Sequence, residues 1–124
     1  MSLGRIDDPW YDAQFLSHTT AKGHRTQDAI DGADGVLFWC PCGYGKPEFP
    51  LDGGRPHAVI VSFANPRGCE PAPPDAGSQS AHGGPSRWTM SGTGLHDLTL
   101  SPSVDVGSKD SKCWHGWIKE GNVT

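Results

Sequence analysis

Apolar positions along the chain fall into short runs separated by glycine, proline and aspartate, the pattern of a small β protein. Residues 36–39, VLFW, form one such run and lead straight into CPCG at 40–43. HAVIVSF at 57–63 is the strongest strand signal, and its β-branched run at 59–61 predicts burial on both faces. RWTM at 87–90 predicts a strand, and DLTL at 97–100 alternates as another. SPS at 101–103 reads as a kink before VDV at 104–106, and KCWHGWI at 112–118 follows a hairpin-like loop. EGN at 120–122 marks a closing turn before Val123. EFP at 48–50 fits only a short or edge strand, because proline donates no ladder hydrogen bond.

The first 35 residues read as an N-terminal arm. Asp8 as N-cap and Pro9 at the first helical position predict a short helix. Trp10, Tyr11, Phe15 and Leu16 then share a stripe of about two turns. That stripe can dock on the chain's own sheet or reach a second subunit. Residues 18–25 are polar and expected to be solvated, and Thr26 can cap a further turn before DGADG at 31–35 breaks it. Residues 65–87 lose all periodicity and carry Pro, Gly, Ser and Ala, which predicts a long flexible loop with Cys69 as an incidental thiol. The expected organisation is therefore an arm at 1–35 and a β domain at 36–124, with the loop at 65–87 as an insertion.

A chain of 124 residues is one domain, and with 35% hydrophobic residues, 17 glycines and 11 prolines its core is thin. A metal staple suits such a chain. The formal net charge of −4 argues against a nucleic-acid surface built on charge. No run approaches the roughly 20 apolar residues of a membrane span, and MSLGRIDDPWYD has no apolar core of a signal peptide. Host cytoplasm or a virion is the expected location, with no secretion by its own signal.

Cysteine spacing suggests where the staple sits. Cys40 and Cys42 are one residue apart, and Cys113 and His115 repeat that spacing. Residues i and i+2 of an extended chain face the same way, so each pair can grip one ion. Three thiolates and an imidazole make a closed tetrahedral zinc set. His57, at the start of the strongest strand, is the alternative fourth ligand. Trp39, Trp114 and Trp117 flank these positions and are expected to cover the metal.

Catalytic signatures are sparse. The chain has no HExxH, no GxSxG elbow and no phosphate loop. Asp97 and Glu48 are the carboxylates available as a general base, while Ser101 and Ser103 beside Pro102 read as part of the strand kink.

FWCPCGYG, HAVIVSFANP, LHDLTLSPSVDV and CWHGWIKEGNV, in that order, resemble a family of small phage and prophage proteins of unknown function, some labelled ammonia monooxygenase. The resemblance covers residues 36–123 apart from the loop at 65–87. It implies one metal-binding knuckle formed by Cys40, Cys42, Cys113 and His115, with Tyr44 standing where many relatives have a further cysteine. The fold expected is a mainly β, small zinc-stapled antiparallel sheet domain with a short N-terminal helical or extended arm and a long flexible loop. The function expected is a non-enzymatic phage accessory or virion protein that binds another protein, a phage structural protein in the first instance. Its arm could support oligomer contacts, and neither nucleic acid nor membrane is expected as a partner. The alternative is a small zinc hydrolase with one open metal position.

Overall fold

The computed structural model describes residues 3–20, 23–43, 58–70, 87–105 and 114–124. Eight strands appear among them: β1 Gln14–Thr20, β2 Gly23–Gln27, β3 Gly35–Trp39, β4 Ala58–Phe63, β5 Arg87–Ser91, β6 Thr99–Asp105, β7 His115–Lys119 and β8 Asn122–Val123. They form one sheet in the order β2-β1-β3-β4-β5-β6-β7-β8. The chain is mainly β, as its patterning predicts. The sheet is mixed rather than wholly antiparallel, because β4 and β5 run parallel through Ser62↔Arg87 and Phe63↔Trp88.

A parallel neighbour needs a long crossover, and residues 64–86 supply it. Its first turn is anchored by side-chain chemistry. The Asn65 amide donates to the Met90 carbonyl at 2.9 Å and accepts from the Met90 N–H at 2.7 Å. The Ala64 N–H donates to the Trp88 carbonyl at 2.8 Å. Asn65 thus stands in for a strand residue where β4 has already ended. The predicted flexible loop is described only as far as residue 70, and the rest of it, with EFP at 48–50, lies outside the described residues.

The N-terminal segment departs most from expectation. Asp8 does cap, accepting from the Trp10 N–H at 2.9 Å, and Pro9 opens the turn. The helix, however, is a single 3-10 turn, Pro9–Tyr11, ended by Asp12 in the left-handed region at φ 46°. Phe15 and Leu16 are both buried, so adjacent residues are covered on opposite faces of β1, which a helical stripe would not require. Phe15 meets Phe63 of β4 edge-on at 6.5 Å. Residues 14–20 and 23–27, which hold most of the polar stretch 18–25 expected to be solvated, pair antiparallel as β1 and β2.

Residues 3–6 meet the other end of the sheet. Leu3 N–H donates to the Val123 carbonyl at 2.7 Å, Val123 N–H to Gly4 at 2.9 Å, and Ile6 N–H to Gly121 at 2.8 Å. Arg5 reinforces the seam through Asn122 Oδ1 at 3.2 Å and the His96 carbonyl. The described residues of this segment therefore belong to the sheet and its core.

One apolar cluster, including Tyr11, Phe38, Val61, Leu100 and Ile118, draws on strands from both ends of the sheet. Phe38 of β3 packs edge-on against Trp114, with ring centres 6.2 Å apart, although three strands lie between β3 and β7 in the order. The sheet is therefore strongly curled. At the β7–β8 turn, Glu120 and Gly121 take φ of 50° and 81°, the backbone of a tight two-residue hairpin. A Cβ on Gly121 would lie 2.4 Å from the His96 carbonyl oxygen, so this position admits only glycine.

Asn65→Ala is expected to lower unfolding free energy by about 1–3 kcal/mol, since it strands both backbone groups of Met90. Denaturant unfolding checks this; a midpoint equal to wild type would mean that Asn65 does not tie β5 to the crossover.

Candidate active site

Strands β6 and β7 change register in the middle of their pairing. Leu100 faces Ile118, but four residues later Val104 faces Gly116. Ser101, Pro102 and Ser103 therefore stand opposite Trp117 alone. Such a bulge re-aims side chains and raises the local twist, and proline is tolerated there. The kink predicted from SPS is real, yet the strand passes through it as one element, Thr99–Asp105.

Beside the bulge a hydroxyl meets an imidazole. Ser103 Oγ lies 2.9 Å from His115 Nε2. Ser103 is half-buried, and His115 stands on the exposed face of β7. The serine backbone is held from the other side: Trp88, nearly buried on β5, donates its indole N–H to the Ser103 carbonyl at 3.2 Å.

The WHGW sequence explains how His115 is presented. Trp114, Gly116 and Ile118 are buried, whereas His115, Trp117 and Lys119 are exposed. Trp114 fills the inner side and donates its indole N–H to the Thr124 carbonyl at 3.0 Å. A Cβ at Gly116 would sit 1.8 Å from that same oxygen, so glycine is needed for the contact. The alternation leaves the imidazole facing outward on a rigid strand.

A serine hydroxyl in hydrogen-bond reach of an imidazole is the pairing of an activated nucleophile and its base. For Nε2 to accept the Ser103 proton, the ring must carry its own proton on Nδ1.

The other anticipated site residues are described only in part. Cys40 is fully buried in the apolar cluster, and Cys42 packs partly buried against it at the 3-10 turn Pro41–Gly43. Cys113, His57 and Glu48 lie outside the described residues. Among the described residues no three His, Cys, Asp or Glu side chains gather as a metal site. A tetrahedral zinc needs its ligands within about 2.0–2.3 Å of one point. Among the described candidates, Cys40 is a core thiol and His115 an outward imidazole bonded to Ser103. Cys69 is exposed, and its thiol is pushed up by desolvation first, then by the charges of Asp34 and Glu70.

Asp97 has a structural task. Its carboxylate accepts from the Thr93 N–H at 2.8 Å, the Gly94 N–H at 2.9 Å and the Thr93 hydroxyl at 3.0 Å. These bonds, the Thr93 N–H foremost, hold its pKa below the ordinary carboxylate value. It caps the turn before β6 rather than serving as the general base considered from sequence.

A family described as bacterial ubiquitination-like system serine protease, BubE, matches residues 55–124. The chain belongs to the BubE family. The matched segment holds both Ser103 and His115 and excludes Cys40 and Cys42. No curated protein and no solved structure gives a significant match.

This membership overturns the expectation of a non-enzymatic phage accessory or virion component, and it points to a protease. The zinc hydrolase alternative falls with it. Sequence reasoning passed over Ser103 because SPS lacks the glycines of a known nucleophile turn. It assigned His115 to the neighbouring cysteine. The usable signal was the burial alternation of WHGW, which turns the histidine away from the core.

Asp97→Asn is expected to flatten the acid limb of stability. A lowered folded-state pKa contributes stability that is complete above the unfolded value and lost as pH falls through the folded one. Melting curves taken from about pH 6 down to about pH 2 should show wild type losing stability below pH ~4 more steeply than the variant. Parallel curves would contradict the capping role. Separately, Trp88→Phe keeps most of the packing but removes the donor to Ser103, and should cost about 1–2 kcal/mol in denaturant unfolding; an unchanged midpoint would discount that bond.

Proposed function

We propose that this chain is a serine protease in which Ser103 is the nucleophile and His115 the general base. The 2.9 Å contact between Ser103 Oγ and His115 Nε2 carries the reading. Membership of a serine protease family supports it, with both residues inside the matched segment.

In the acylation step, Ser103 Oγ forms a bond to the scissile carbonyl carbon while His115 Nε2 takes the hydroxyl proton. The C–N bond then breaks, and the same proton leaves on the departing amine. Water repeats the sequence on the acyl-enzyme: it gives a proton to His115, attacks the ester carbon and releases Ser103 as the alcohol. Trp88 steadies the nucleophile's backbone, and the strand alternation at Trp114 and Gly116 steadies the base. The protein partner on this reading is the substrate, a polypeptide of a bacterial ubiquitination-like system.

Ser103→Ala and His115→Gln are each expected to lower kcat/KM on a pool of internally quenched octapeptides by roughly 10³-fold or more. Both should retain a cooperative melt. Cys69→Ser, at an exposed thiol away from the pair, should keep wild-type rates. Full cleavage by the Ser103→Ala protein would end the proposal.

A further inference from the structure

Trp117 is 47% exposed, a large apolar side chain left on the surface of a chain with little apolar material to spare. The core has no need of it, since Trp114 and Ile118 already fill the inner side of β7. Its place is specific. It follows His115 by two residues on the same face, and it is the single β7 residue opposite the Ser101–Pro102–Ser103 bulge. Its backbone is clamped: Trp117 N–H donates to the Thr124 carbonyl at 3.3 Å, and Thr124 N–H returns the bond at 3.0 Å.

The same indole lines a groove of about 610 Å³ together with Thr99, Ser101, Lys119, Asn122 and Thr124. That volume falls within the range of ligand clefts and suits a few residues of polypeptide. We propose that Trp117 is a specificity-determining residue, the floor of a subsite that takes an apolar side chain of an extended polypeptide next to the scissile bond. The inference rests on Ser103 being the nucleophile.

Two observations narrow the occupant. Lys119 and Glu120 flank the groove with opposite charges, so it offers no net field for a strongly acidic or basic segment. The outer edge of β8 is already paired with residues 3–6, so a substrate cannot add itself there as a further strand. Recognition falls to side chains crossing the sheet face, where the indole is the largest apolar surface. An extended segment also delivers a scissile carbonyl to a half-buried hydroxyl, which a convex folded surface cannot do.

The test uses the full chain, a positional-scanning library of internally quenched octapeptides, and p-nitrophenyl acetate as an ester too small to need the groove. Wild type should prefer apolar residues at one position adjoining the cleaved bond. Trp117→Ala should flatten that preference and lower peptide kcat/KM by about tenfold or more, mainly through KM, with ester hydrolysis within about twofold. Trp117→Phe should restore most of the preference, and it keeps the test available if the alanine variant melts early. An unchanged preference in Trp117→Ala would overturn the inference. So would equal losses on ester and peptide, which would make Trp117 a support of the Ser–His pair instead. Wild-type protein inactive on both ester and peptide would instead overturn the protease reading beneath it.

Discussion

Ser103 and His115 sit on neighbouring strands beside a mismatch in which three residues of β6 stand opposite one residue of β7, and the candidate chemistry depends on that cross-strand pairing. With a regular ladder, Leu100↔Ile118 would carry Pro102 rather than Val104 onto Gly116. That regular ladder would also set Ser103 directly opposite His115; the two-residue slip shifts it to the level of Trp117, diagonal to His115 on the same face, where its hydroxyl meets Nε2 at 2.9 Å. Diagonal cross-strand neighbours are within reach of a long side chain such as histidine.

A bulge is useful only if its surroundings hold it. Here the Trp88 indole secures the Ser103 carbonyl from β5, and Trp114 reaches under Gly116 to Thr124 from β7. The seam between residues 3–6 and β8 keeps that last hairpin in place through Arg5 and Asn122. The N-terminal segment thus braces the strand pair that carries His115, although it lies outside the segment matched by the protease family.

Much of the β architecture was legible because period-two patterning survives in short segments. The strands at 36–39, 58–63 and 87–90, and the turn at 120–122, follow directly from their residues. The β1–β2 pair was hidden because QFLSHTT and GHRTQ carry little strand signal alone; β1 is a strand on the edge that β3 offers, and β2 on the edge that β1 offers. The parallel β4–β5 pair was also invisible, since its determinant is the Asn65 side chain bonding across to Met90. At the site, spacing drew attention to a different grouping. Cysteines one residue apart suggested zinc, whereas Cys40 is a core residue and His115 turns outward to a serine twelve positions upstream. Local spacing says nothing about which strand will be the neighbour, and the Ser103–His115 pairing exists only across strands.

The most direct test is covalent. An alkyl fluorophosphonate reacts with a serine only when a base activates it, so the intact, purified chain should gain one adduct, mapped by peptide mass analysis to Ser103. His115→Gln protein, folded by thermal melt, should label at a rate lower by roughly 10³-fold or more. An adduct on another residue, or equal labelling without the His115 imidazole, would contradict the assignment of nucleophile and base.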